Sequence, residues 1–258
     1  IDSSPTIYKQ RCYFGSADGF IYCLDLADGQ LIWKYEGAPS RSRHMHFENI
    51  ESTHPLHGSV LIHDDKLYAV AGRSMFVDGG MNFLILDANT GIKIKETVMG
   101  ETVPGTDKPL QLQHEVLSMP QALNDLLTCD GKEIHMRKQD FDLEGNRLEL
   151  KNSNAFYARR EGLLEPFKVY DIKKGNPHII SGTGFLDDSW WRRTYWTFGE
   201  NYTSGHNGYW RAGKEGPSGR IISYDDEGVF AWGRLTQYYK WSKEYEYYLF
   251  NRSHENEE

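Results

Sequence analysis

The 258-residue chain sets 29 Lys and Arg against 37 Asp and Glu, for a formal charge of −8, and holds no Lys/Arg-rich run. Nucleic-acid binding draws its affinity from neutralised phosphates, so this balance excludes that class of partner. Apolar stretches are only a few residues long, far short of the roughly 20 that span a bilayer as a helix, and Cys12, Cys23 and Cys129 are too few for a disulfide scaffold and lack metal-ligand spacing.

In chain order, the opening Ile1-Asp2-Ser3-Ser4-Pro5 has no initiator Met, and the expectation is the C-terminal part of something longer. A first unit over residues 6–37 reads as strands at 6–9, 11–16, 20–25 and 31–35, separated by Lys-Gln, Asp18-Gly19 and Asp28-Gly29 turns. A second unit over 59–98 reads as strands at 59–63, 66–72, 82–87 and 92–97, its middle turn replaced by an excursion from Arg73 to Gly80. The two units share a phrase: Leu24-Asp25-x-x-x-Gly29 falls on Leu86-Asp87-x-x-x-Gly91, each a hairpin in which a β-type run ends in Leu-Asp and turns on Gly. Repetition at this scale predicts stacked sheets, and four short antiparallel strands per unit predict propeller blades.

Residues 38–58 form an insert too long for a plain linker between blades, and ordered loops of that length are more often functional or interface-forming than idle. A third, weaker unit follows at 117–150, with a turn at Cys129-Asp130-Gly131, then a fourth at 178–214 and a fifth at 219–250. The fold class expected is all-β, a propeller of four-stranded antiparallel blades with about five visible, as the C-terminal part of a seven- or eight-bladed ring.

The phrase FGSADGFIYCLDLADGQLIWKY resembles the pyrroloquinoline-quinone (PQQ)-type propeller repeat, whose blades close on x-Val/Ile-Tyr-x-Leu-Asp-x-x-x-Gly-x-x-x-Trp. Residues 49–87, 184–196 and 218–250 are similar to large bacterial proteins of this repeat, abundant in planctomycetes. The repeat also resembles that of the outer-membrane assembly factor BamB, a non-catalytic scaffold. The resemblance implies export from the cytoplasm, periplasmic or secreted, and N-terminal blades in the same protein or another chain. It does not bring the quinone: related alcohol dehydrogenases hold PQQ with an adjacent cysteine pair, which this chain lacks, so no cofactor is expected.

Three stretches carry candidate chemistry. The insert holds His44, His46, His54 and His57 beside Glu48 and Glu51; His-x-His and His-x-x-His can present imidazoles to one transition metal, although a surface loop also carries histidines without a ligand. Asp187, Asp188, Trp190, Trp191, Arg192 and Arg193, joined by Arg73 and Asp78, offer carboxylates, cations and aromatic platforms to a ligand such as a sugar, if blade-connecting loops converge at one end. The simpler reading is turn caps, local ion pairs and tryptophans packed between blades. The aromatic stretches 237–241 and 244–250 fit a buried closing strand or an interface anchor. Asp-rich turns such as 225–228 lack the ligand spacing of a calcium loop. No nucleophile elbow, phosphate loop or dinucleotide fingerprint occurs. The function expected is a non-catalytic binding or scaffold propeller presenting a loop-lined face to a protein or carbohydrate. The alternative is an enzyme, either a degenerate quinone-dependent oxidoreductase or a carbohydrate-active hydrolase or lyase using Asp187 and Asp188.

Overall fold

The computed structural model describes residues 3–46, 48–103, 105–109, 123–136 and 139–148, together with the strands of residues 179–253. The chain divides into two compact units, Ile1–Lys168 and Val169–Glu258. Every regular element among the described residues is a β-strand.

In the first unit, β1 (Thr6–Tyr8), β2 (Arg11–Gly15), β3 (Phe20–Asp25) and β4 (Leu31–Glu36) pair in sequence order as an antiparallel meander. A hairpin of β5 (Arg43–His46) and β6 (Asn49–Ser52) follows. A second meander comprises β7 (Leu61–His63), β8 (Lys66–Ala71), β9 (Met81–Asp87) and β10 (Lys93–Met99). The third sheet holds β11 (Thr128–Cys129), β12 (Glu133–Met136) and β13 (Gln139–Asp142). This repeated sheet, antiparallel and strictly sequential, is the blade unit of a β-propeller. The hairpin β5–β6 lies within the 38–58 insert, where the sequence predicts no strand.

The turns explain why these residues form these strands. Lys9-Gln10 and Asp64-Asp65 all have positive φ, from 45° to 60°, the mirror-type geometry that matches the twist of a two-residue hairpin. The Leu-Asp phrase folds identically in both copies: the Asp25 and Asp87 amides donate to the carbonyls of Gln30 and Ile92, and Gly29 and Gly91 donate back to the aspartates. A third copy, one residue shorter, closes Asp142 to Gly145.

The second sheet is sandwiched. Leu67, Ala69, Ala71, Leu84 and Leu86 pack toward Tyr13, Ile21 and Cys23 of the first sheet, whereas Tyr68, Val70, Met81, Phe83 and Ile85 pack toward Ile134, Met136 and Phe141 of the third. The Phe83 and Phe141 rings stack with centroids 4.0 Å apart. Burial on both faces accounts for continuous apolar runs in KLYAVA and NFLILD where a half-solvated strand would alternate. The outermost strands β4 and β10 carry exposed Leu31, Ile32, Ile94 and Val98.

In the second unit, β14 (Ile179–Ile180), β15 (Arg193–Phe198) and β16 (Tyr202–His206) form one antiparallel sheet, and β17 (Ser218–Tyr224), β18 (Gly228–Arg234) and β19 (Tyr247–Ser253) another.

Candidate functional site

In an antiparallel meander, alternate connections fall at the same end of the sheet. In the first unit the β2–β3 turn, the insert carrying β5–β6, the β8–β9 connection and the described ends of the β10–β11 connection gather at one end. Backbone hydrogen bonds bind them there: Ser52 N donates to Ala17 O at 2.9 Å, Leu56 N to Ser16 O at 3.0 Å and Gly72 N to Pro55 O at 2.9 Å. Asn124 Nδ2 reaches Val70 O at 2.6 Å, and Ser74 bridges Leu123. The opposite end carries the tight turns, where Lys9 Nζ meets Asp65 at 2.6 Å.

At the connection end lies a charged cluster drawn from three segments. Glu51, on β6, is buried; Arg73, from the β8–β9 connection, pairs with its carboxylate, and His57 Nε2 stands 3.7 Å from the same Oε2. The Arg73 Nε is also buried and has no hydrogen-bond partner. His44 lies directly opposite Glu51 in the hairpin register, on the same face. A carboxylate this enclosed is held in place by its guanidinium partner and, in turn, fixes the hairpin to the second sheet.

The hairpin's other face is different. Met45 and Ile50 sit directly opposite one another and are 77% and 69% exposed. Beside it a cleft is lined by Asp18, Phe20, Glu36, Arg41, Arg43 and Ser52, with Arg41 Nε donating to Glu36 at 3.0 Å.

Arg73 is thus brought to Glu51 and His57, a partnership with a residue the sequence reading placed near the histidine-rich stretch. Asp78 is exposed in the same connection, in a left-handed conformation at φ 54°. His54 is buried and structural: its amide donates to Ser52 Oγ at 3.0 Å and its Nδ1 lies 3.1 Å from Thr53 Oγ1. Of His46 only the backbone is described. Among the described residues, one group of three metal-capable side chains occurs, Glu133, His135 and Asp140, and His44, His54 and His57 are not in it. Asp187, Asp188, Trp190, Trp191 and Arg192 lie outside the described residues; Arg193 opens β15, its backbone paired with His206. The cysteines are free thiols, with Cys23 buried.

Together these features define an all-β protein of stacked meander blades with a built charged cluster at one end. No family model matches the chain, and no curated protein matches it. Solved structures similar to it include the quinohemoprotein alcohol dehydrogenase of Comamonas testosteroni, at 16% identity over 57% of this chain and 20% of that one, with a TM-score of 0.36. A europium-containing methanol dehydrogenase matches at 18% identity over 38% of this chain and 15% of its own, with a TM-score of 0.30. BamB from Moraxella catarrhalis matches at 16% identity over 58% and 49%, with a TM-score of 0.25. The chain spans a fifth or less of those dehydrogenases and about half of BamB, and no statement about activity follows from likenesses this low. No helix among the described residues is long and apolar enough to cross a membrane.

Proposed function

We propose that this chain is a binding module of propeller type that holds a partner protein at its connection end. The observation that carries the reading is the β5–β6 hairpin, anchored on one face by Glu51 and Arg73 and presenting Met45 and Ile50 to solvent on the other. Scattered single aliphatic residues on a surface are ordinary, but a cross-strand pair on a hairpin that costs a buried ion pair to hold is suited to fill a pocket on another protein. The adjoining cleft, with charges of both signs, supplies a polar rim. A place outside the cytoplasm and a role as scaffold belong to this same reading. The carbohydrate alternative and the hydrolase or lyase alternative draw their carboxylates and tryptophans from residues 187–191, outside the described part.

A photo-crosslinking residue placed singly at Met45 and at Ile50 in producing cells tests the idea, with Ile92 at the opposite end as control. We expect one discrete adduct from both hairpin positions and none from Ile92. The identified protein should then lose at least tenfold in affinity for the purified M45D/I50D variant. Absence of any adduct, or the same adducts from Ile92, overturns the reading.

A further inference from the structure

The third sheet carries a second cluster, remote in sequence from the hairpin. Glu133 and His135 are two residues apart on β12 and so project from one face; Asp140 on β13 lies directly opposite His135. The opposite face of the same strands, with Ile134, Met136 and Phe141, is committed to the core. One donor atom from each of Glu133, His135 and Asp140 lies within 4.8 Å of the others. Tetrahedral donors bound to one ion at about 2.0–2.2 Å stand about 3.3–3.6 Å apart, so binding shifts the three by up to about an ångström, His135 Nδ1 and Asp140 Oδ1 moving apart from 2.7 Å.

The histidine is placed as a ligand usually is. It is 4% exposed; Nδ1 faces Asp140 Oδ1 at 2.7 Å, while Nε2 faces Asp130 Oδ2 at 3.6 Å. That second separation is longer than a hydrogen bond, and it puts a carboxylate on the far side of the ring, the side from which carboxylate–histidine–metal sets are supported once the two groups close. Asp130 itself is held by its turn, its Oδ1 accepting from the amides of Lys132 and Glu133 at 2.8 and 2.7 Å. An independent feature lies across the strand. Thr128 is directly opposite His135 on β11, hence on the same face, and its Oγ1 is buried with no hydrogen-bond partner.

We propose that Glu133, His135 Nδ1 and Asp140 hold a divalent first-row transition metal, with Asp130 orienting the imidazole. One imidazole and two carboxylates form a mixed nitrogen and oxygen set suited to zinc or manganese and unlike the thiolate-rich sets of soft metals. The ion replaces the proton between Nδ1 and Asp140, and its binding ties β12 to β13.

The test is equilibrium dialysis of the metal-stripped chain against zinc, with cobalt absorption as a second readout. One zinc per chain is expected, with affinity reduced at least tenfold in E133Q and in D140N and unchanged in H44Q/H46Q. Zinc should raise the melting temperature of the unaltered chain but not of E133Q, and the melting of metal-free E133Q beside the metal-free parent separates lost binding from lost folding. No stoichiometric zinc, or zinc kept at full affinity by E133Q and D140N or lost in H44Q/H46Q, overturns the assignment.

Discussion

Gly29 and Gly91 occupy the same position of the same turn with φ of 72° and 70°, yet their surroundings differ. A Cβ at Gly29 would meet nothing within 4 Å, whereas one at Gly91 would stand 2.7 Å from the Trp33 ring. Trp33 reaches across from the first sheet and donates Nε1 to Ala88 O at 3.3 Å, so the indole closes over the next blade's turn. G29A should cost about 1–2 kcal/mol, the left-handed penalty alone, and G91A a further 1–3 kcal/mol or so from overpacking; urea unfolding of the two variants measures the difference. Arg73 is the other residue with a sharp consequence. R73A leaves the buried Glu51 carboxylate without its guanidinium, and a loss of about 3–5 kcal/mol is expected. The E51Q/R73A double variant should recover part of it, a coupling that a double-mutant cycle reads directly.

For the sheets, the contrast lies between strands buried on both faces and strands at the rim. Phe83 belongs to β9 and stacks on Phe141 of the third sheet, both rings being fully buried. F83A should cost about 3–5 kcal/mol, whereas V98T on the outermost strand β10, where Val98 is 58% exposed, should stay within about 0.5 kcal/mol of the parent; thermal or denaturant unfolding checks both. The elements were legible where turn chemistry is local. Leu-Asp-x-x-x-Gly marks two of the hairpins in the sequence, and the third copy, Asp142 to Gly145, escaped because it is one residue shorter and has Phe141 in place of the leucine. The hairpin β5–β6 escaped because Arg43–His46 and Asn49–Ser52 mix polar and apolar residues with no Gly-centred turn between them.

Across the first unit, burial sets a common response to alkali. Exclusion from water pushes the Tyr13 and Tyr68 phenols up to about 12, and the Asp18 carboxylate beside its hydroxyl, with burial second, raises Tyr22 to about 12 as well. Because the folded values lie above the ordinary 10.0, the fold favours the neutral phenols. Their contribution to stability is complete below pH 10 and is lost as pH rises from 10 through about 12. Unfolding should therefore set in across that window, with the phenolate absorbance of these tyrosines rising together with loss of near-ultraviolet circular dichroism. Y68F removes one such group and the hydrogen bond from its hydroxyl to Leu143 O, and should shift the alkaline midpoint upward while lowering stability at pH 7.

The amino-acid sequence by itself determined the class of fold, because period-two strands and Asp-Gly turns are local features that each few residues specify alone. It also marked Arg73 and the 38–58 insert as places to look. Which groups meet there was decided by tertiary structure: Glu51 and Arg73 are 22 residues apart and come together through alternate connections stacking at one end of neighbouring sheets. Glu133, His135 and Asp140 gave no metal signature as a string, since their spacing matches no motif; strand register, by setting Asp140 across from His135, brought their donors together. The physical reason is the same in both places. Side-chain chemistry is written residue by residue, but proximity across strands depends on register and on how sheets stack, and those are fixed by the burial of the whole core.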